Sequence, residues 1–293
     1  MRHHERSSRV WPWPVDMPRS SERDRGRGSN RRRGSCFYEV LAVFEVLAKA
    51  VSWWARSKRW TDREGHGPRT MLRVGLAMLQ GARHEHAEAL RGAAKELGVE
   101  VDIVECRRAD HVDDTLHALI LPGGESTTMR IASRYESLLV ALFAWMDDHP
   151  ERPVLGTCAG AILLASPEGG RPPYLAAGIS RNAWGRQRES FEAVVEVNLE
   201  VPEADYQQSE PAGRDRFAHQ PLEVTSQAAS ALREGFPGVF IRAPRFDQEA
   251  LNCTPVVHLG GEVVGVLDGK KLGVTFHPEL TLDRRFHRWL LHE

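Results

Sequence analysis

Between two apolar runs the chain carries Gly156-Thr157-Cys158-Ala159-Gly160, one cysteine among small residues, with Val154-Leu155 before it and Ala161 to Ala165 after it. The pattern is that of a nucleophile elbow, a strained turn between strand and helix that lifts a nucleophile above a sheet. Glycines are needed on both sides because a side chain there would collide with the strand or the helix. Such a chain is committed to a strand, a tight turn and a helix packed directly against it. Cysteine in place of serine keeps the geometry and changes the chemistry, since a helix N-terminus favours the thiolate, the form that attacks. On the pentapeptide alone, a structural cysteine in a small-residue turn stands as the alternative to a catalytic one.

The segments around the elbow continue the same theme. Arg73 to Leu79 is short, apolar and bounded by Gln80-Gly81, as in a parallel strand buried on both faces. Residues 83 to 97 predict a helix, with Ala87, Leu90, Ala94 and Leu97 at helical spacing and Gly98 as its stop. Val101 to Val104 and Ala118 to Leu121 predict two more strands, the second running into Pro122-Gly123-Gly124. This alternation predicts an α/β fold: a doubly wound, mostly parallel sheet flanked by helices. Ligands in such sheets gather beyond the carboxyl ends of the strands, so Gln80-Gly81, Gly123-Gly124-Glu125 and the Cys158 elbow are expected to share one crevice. Extra strands are expected at Ala193 to Leu199, Val239 to Ile241, Val256 to Leu259, Glu262 to Leu267 and Gly273 to Phe276. Residues 202–237 show little periodicity and read as a long loop or partly ordered insertion.

A thiol nucleophile needs a base to take its proton and later to protonate a leaving amine. Phe276-His277-Pro278-Glu279 directly follows the last of those strands. In an extended backbone, residues two apart project to the same side, which would let Glu279 hold the His277 ring. His84, His86, His111 and His117 lack a comparable context. Between the two motifs, the glycines of Pro122 to Thr128 allow backbone N–H groups to face a developing oxyanion, with the Ala159 N–H as a second donor. The same stretch also reads as an ordinary turn into a helix with Ser126 or Thr127 as its cap.

The net charge of −1 conceals an asymmetry: the first 70 residues hold 16 Lys and Arg against 8 Asp and Glu, the remainder 23 against 32. Residues 1–70 are therefore expected to be a disordered extension or an upstream in-frame translation, with the working domain at 71–293. The apolar stretch from Cys36 to Ala55 is interrupted by Glu39, Glu45 and Lys49, and charges near a helix centre oppose membrane insertion, so no membrane partner is expected. Arg31-Arg32-Arg33 stands among scattered acidic residues without a nucleic-acid-binding motif, so no nucleic-acid partner is expected either. Cys36, Cys106, Cys158 and Cys253 show neither paired spacing nor metal-ligand spacing with histidines. That pattern excludes a disulfide framework or zinc site and fits a reducing cytoplasm.

Taken together, these motifs resemble the class I glutamine amidotransferases, and within them the glutaminase subunits of pyridoxal 5'-phosphate synthase. The resemblance is carried by Leu79-Gln80-Gly81, the runs Pro122 to Met129, Gly156 to Gly160 and Arg181 to Gln187, Ser190-Phe191-Glu192, and the runs Gly238 to Pro244 and Phe276 to Thr281, in family order across 71–293. It implies a flavodoxin-like glutaminase fold and a Cys158, His277 and Glu279 triad that hydrolyses L-glutamine to L-glutamate and ammonia. It further implies glutamine contacts from Gly124, Glu125, Ser126, Arg181, Ile241 and Arg242, an oxyanion hole at Gly124 and Ala159, and Gln80 near a subunit interface. The implied partner is a TIM-barrel synthase subunit in a hetero-oligomer that receives the ammonia; no cofactor and no metal are implied for this chain. Trp184, where a smaller aromatic is usual, and the length of the 202–237 insertion depart from the pattern. A glutaminase serving another synthase, such as the imidazole glycerol phosphate branch, and an inactive regulatory homologue are the alternative readings.

Overall fold

A mixed sheet organises the residues that the computed structural model describes, 71–181, 190–203 and 235–293. In chain order the elements are β1 Leu72–Ala77, α1 Arg83–Leu97, β2 Val101–Cys106, β3 Ala118–Leu121, α2 Ser126–Glu136, α3 Leu138–Asp148, β4 Val154–Thr157 and α4 Ala159–Ala165. They continue with β5 Ala177–Ser180, β6 Phe191–Val197, β7 Gly235–Phe240, β8 Arg245–Leu251, β9 Thr254–Leu259, β10 Glu262–Asp268, β11 Lys271–Val274 and α5 Arg285–His292. The strand order is β2-β1-β3-β4-β11-β10-β9-β6-β7, with β5 and β8 forming a separate antiparallel pair. From β2 to β11 neighbouring strands are parallel, whereas β11, β10, β9, β6 and β7 pair antiparallel. The doubly wound parallel core and the extra strands agree with the sequence expectation.

Alternation along the strands divides the core into two layers, since successive residues face opposite sides of a sheet. Val74, Leu76, Ile120 and Leu155 pack with Leu90 and Ala94 of α1 and with Phe286 and Trp289 of α5. Ala77, Leu119, Leu121 and Val154 pack with Met129 of α2, Leu142 and Phe143 of α3 and Leu163 of α4. Parallel strands covered on both faces in this way are apolar at nearly every position, which is why their sequences read as continuous hydrophobic runs.

Helix α1 occupies residues 83 to 97 as expected, and Gly98 ends it in the left-handed conformation, φ 65°, that glycine reaches without penalty. Its buried face runs through His86, Ala89, Leu90, Ala93 and Ala94, so Ala87 and Leu97 flank the core stripe instead of centring it. Glu125, and not Ser126 or Thr127, caps α2: its carboxylate accepts from the Thr127 and Thr128 N–H groups, which a longer side chain can bridge at once. Strand β7 begins at Gly235, inside the range expected for the insertion. Pro237 is tolerated there because, among the described residues, β7 lies at the edge of the sheet with only β6 beside it. The rest of the insertion, the 1–70 extension, Cys36 and residues 182–189 with Trp184 lie outside the described residues. Among the described residues no helix is long and apolar enough to cross a membrane.

Helices α1 and α5 are joined by a buried charge cluster. Glu96 accepts from Arg284 at 2.7 Å and from Arg288 at 2.6 Å, with all three side chains almost fully enclosed. Breaking a buried pair by removing one member leaves uncompensated charge in low dielectric. Glu96→Ala is therefore expected to lower the unfolding free energy by about 3–5 kcal/mol, measured by urea denaturation of the full chain.

Candidate active site

Four connections meet at the carboxyl ends of the four adjacent parallel strands β1, β3, β4 and β11: Gln80-Gly81, Gly123-Gly124-Glu125, the Cys158 turn and the His277 segment. The expected crevice is thus formed, and the register of β4 with β11, Gly156 opposite Gly273 and Thr157 opposite Val274, brings the ends of their strands level.

Cys158 has φ 48° and ψ −103°, a strained conformation for a non-glycine residue. Its N–H donates to the Val274 carbonyl at 2.8 Å, which fastens the turn to β11. A side chain on Gly160 would overlap the Leu121 carbonyl, and one on Gly156 would meet the backbone of Gly160, so the first turn of α4 rests directly on β3 and β4. The elbow geometry read from the pentapeptide is present in full.

The Cys158 side chain is close enough to His277 to raise its imidazole, and His277 Nδ1 lies 2.7 Å from Glu279 Oε1. This assigns Nδ1–H to the carboxylate and leaves Nε2 for the sulfur. Sequence spacing anticipated the pair by an extended backbone; instead Pro278–Leu280 form one turn of 3-10 helix. Proline at the start of the turn has the φ that a helical turn needs, and the turn folds Glu279 back beside the ring. The His277 N–H donates to Val239 of β7 at 2.9 Å, and Ile241 and Arg242 directly follow that strand. Arg242 has φ 44°, a second strained non-glycine position next to the site.

The two glycine loops press on one another and on the triad. A side chain on Gly81 (φ 87°) would overlap the Gly123 carbonyl, and one on Gly123 would overlap the His277 ring. Gln80 Oε1 accepts from the Glu125 N–H at 3.1 Å, joining the loop after β1 to the loop after β3. Arg181 donates to Ser126 Oγ at 3.2 Å and Thr127 Oγ1 at 2.5 Å and stands 3.6 Å from Glu125. Gly124, Glu125, Ser126 and Arg181 therefore form one cluster, while Ile241 and Arg242 lie at the end of β7.

Electrostatics follow from burial. Enclosure alone would drive the proton off His277, but Glu279 and the Cys158 side chain outweigh it and raise the imidazole to about 10. Burial also opposes the charge on Glu279, yet His86 and His277 hold its carboxyl at about 2. Hydrogen bonds from the Thr128 hydroxyl and the Thr127 and Thr128 N–H groups keep Glu125 at about 2. Burial pushes the Cys106 thiol up to about 12, out of the reactive range.

Three further residues join the triad from behind, and sequence reasoning passed over them. His86 of α1 places Nε2 3.1 Å from Thr157 Oγ1 and 3.4 Å from Glu279 Oε2, and its Nδ1 3.0 Å from His287 Nε2 of α5. Both histidines are wholly buried, and burial lowers both below the usual histidine value. A signal was available: continuing the α1 core stripe one turn back from Leu90 reaches His86. Among the described residues no cluster of three or more His, Cys, Asp or Glu is arranged to hold a metal ion.

Comparison with known proteins agrees with this arrangement. Residues 76–204 and 213–293 match the SNO glutamine amidotransferase family. The chain is 38% identical over 229 residues to the pyridoxal 5'-phosphate synthase subunit PdxT of Thermococcus onnurineus, covering 75% of this chain and 98% of that protein. It is 36% identical over 225 residues to the PdxT subunit of Halalkalibacterium halodurans, covering 75% and 94% respectively. A crystal structure described as a glutamine amidotransferase superposes with a TM-score of 0.53 at 36% identity, covering 74% of this chain and 96% of its own.

Two outcomes follow. Iodoacetamide modifies Cys158 ahead of Cys106 and Cys253, and Glu279→Gln slows that reaction at neutral pH because His277 loses the carboxylate that favours its charge; peptide mass mapping reads both. His86 and His287 are held below their unfolded values, so the stability they contribute is present above the ordinary histidine value and is lost as pH falls below it. Urea midpoints are therefore expected to drop as pH falls below the ordinary histidine value near 6.5.

Proposed function

The chain belongs to the SNO glutamine amidotransferase family, and from that membership we propose that it hydrolyses L-glutamine to L-glutamate and ammonia and supplies the ammonia to a pyridoxal 5'-phosphate synthase subunit. The observation that carries the chemistry is the His277 Nδ1–Glu279 Oε1 pair, 2.7 Å apart, on the segment after β11, next to β4 whose end carries the Cys158 turn.

Cys158 Sγ attacks the side-chain carboxamide carbon of glutamine, and the thiol proton resides on His277 Nε2. The carbonyl oxygen becomes an oxyanion, for which the N–H groups of Gly124 and Ala159 are the donors. His277 passes its proton to the amide nitrogen, the C–N bond breaks, and ammonia leaves a thioester on Cys158. Water then attacks the thioester and gives a proton to His277; the C–S bond breaks, glutamate departs, and the proton returns to the sulfur. Throughout, Glu279 fixes the ring with Nε2 toward the sulfur and stabilises the imidazolium.

Substrate recognition falls to the groups around the crevice. Gly124, Glu125 and Ser126 line one side, Ile241 and Arg242 the other, and Arg181 supplies a guanidinium suited to the glutamine carboxylate. In the free protein Arg181 is occupied by Ser126, Thr127 and Glu125, contacts that a carboxylate would replace. Gln80 connects the loop after β1 to the Glu125 N–H, which makes that loop the point where a docked synthase subunit acts on the oxyanion hole. Residues 71–293 constitute the glutaminase domain, a reading supported by the family match over 76–204 and 213–293. The cysteine pattern supports work in a reducing cytoplasm.

The test is glutamate release from L-glutamine by the full chain, alone and with a pyridoxal 5'-phosphate synthase subunit. Activity should require the second subunit and vanish in Cys158→Ala; robust release that does not respond to that subunit would assign the ammonia to a different synthase. Arg181→Ala should raise KM by roughly tenfold or more, the value of a hydrogen-bonded charge contact, with a smaller change in kcat.

A further inference from the structure

Behind the triad lies a buried polar group that the hydrolysis described above leaves without a task. Glu279 carries two oxygens: Oε1 holds His277, and Oε2 is buried without a hydrogen-bond partner among the described residues. His86 Nε2 stands 3.4 Å from that second oxygen. A lone pair facing a carboxylate at this range would be repulsive, whereas an N–H would be attractive.

The tautomer can be worked out from the neighbours. Burial lowers His86 below the usual histidine value despite the pull of Glu279, which favours at neutral pH the ring with hydrogen on one nitrogen. With the proton on Nε2, His86 directs its N–H to Thr157 Oγ1 at 3.1 Å, with Glu279 Oε2 3.4 Å away on the electropositive side and beyond hydrogen-bond geometry, and Nδ1 is left to accept from His287 Nε2–H at 3.0 Å. His287 Nδ1, which has no partner among the described residues, is then a bare lone pair. The opposite assignment would aim two lone pairs at one another between His86 and Glu279 and would bury an unpaired N–H on His287, the costlier defect.

We propose that His86 is a positioning residue of this enzyme, its Nε2–H holding the Glu279 carboxylate in the rotation that serves His277, and that His287 sets its tautomer. Donors converge on Glu279 from two sides: His287 donates to His86, whose Nε2–H faces Glu279 Oε2, while His277 donates Nδ1–H to Glu279 Oε1. The charged and titratable groups that face the pair are Glu85 and His277 beside His86, Glu279 beside both, and Arg284 and Arg288 beside His287. Thr157 and Cys158 are successive residues of the elbow, so His86 also pins the strand end that carries the nucleophile.

The inference rests on the glutaminase reading, and its tests separate the two. Imidazole 15N resonances of the wild-type full chain report the tautomers without any turnover: His86 and His287 are both expected to carry hydrogen on Nε2, and Nδ1–H on His86 would overturn the proposal. In the two-subunit assay, His86→Met removes the donor while retaining bulk, and His86→Gln returns an N–H near the Nε2 position. His86→Met should lower kcat about a hundredfold, the scale of a misplaced catalytic group. KM for glutamine should be unchanged, the alkaline limb of the pH profile should move to lower pH, and His86→Gln should recover much of the loss. Equal kcat in wild type and a folded His86→Met, or equal loss in both variants, would refute the assignment. Absence of wild-type glutamate release would instead sink the glutaminase reading and leave the tautomer result standing.

Discussion

The contact between the first turn of α4 and strands β3 and β4 governs the geometry of everything around it. Gly160 lies so close to the Leu121 carbonyl that no side chain fits, and Gly156 faces Gly160 with the same constraint. Because the helix begins on top of the sheet, Cys158 must turn with positive φ, and its N–H reaches across to the Val274 carbonyl of β11. That hydrogen bond ties the nucleophile to the strand that delivers the base, since His277 follows Val274 by three residues. Strain of about 1–3 kcal/mol at such a residue persists only when the surroundings over-determine it, and here two glycine contacts and a strand register do so.

Packing that brings the backbone together also removes water, and the buried groups behave accordingly. His277 and Glu279 are almost completely enclosed, so each depends on the other for its charge, and the pair is stronger than the same pair would be at a surface. Behind them, His86, His287 and Thr157 fill space that apolar side chains could have filled. A buried polar network is costly when incomplete and specific when satisfied. The one exposed carboxylate in the cluster, Glu125, follows a different rule, being held low by helix-end N–H groups and a hydroxyl instead of a buried partner.

The antiparallel half of the sheet contributes position more than chemistry. Strand β7 accepts the His277 N–H and passes directly into Ile241 and the strained Arg242. Its phenylalanines, Phe236 and Phe240, pack against Phe276 beside the base, and Phe236 also meets Phe286 of α5. One aromatic cluster therefore fixes both the His277 segment and the helix that carries His287.

How much of this was legible in the chain depends on the range of the interaction responsible. The elbow, the apolar parallel strands, helix α1 and the His277-Glu279 pair are written locally, in glycine positions, apolar runs and short spacing, because each is imposed by contacts within a few residues or by burial on both faces. Strands β5 and β8 have no alternating pattern to betray them, since they pair mainly with one another outside the large sheet. The turn at Pro278–Leu280 replaced an extended backbone, and Glu125 displaced Ser126 and Thr127 as helix cap, both because a local choice was settled by side-chain reach. The amino-acid sequence by itself determined the α/β class and singled out Cys158 and His277 as candidate nucleophile and base. Only the tertiary structure decided that His86 and His287, 201 residues apart, stand behind Glu279, because a buried hydrogen bond between two helices is created by the packing of the sheet between their sequence positions and leaves no periodic trace in either.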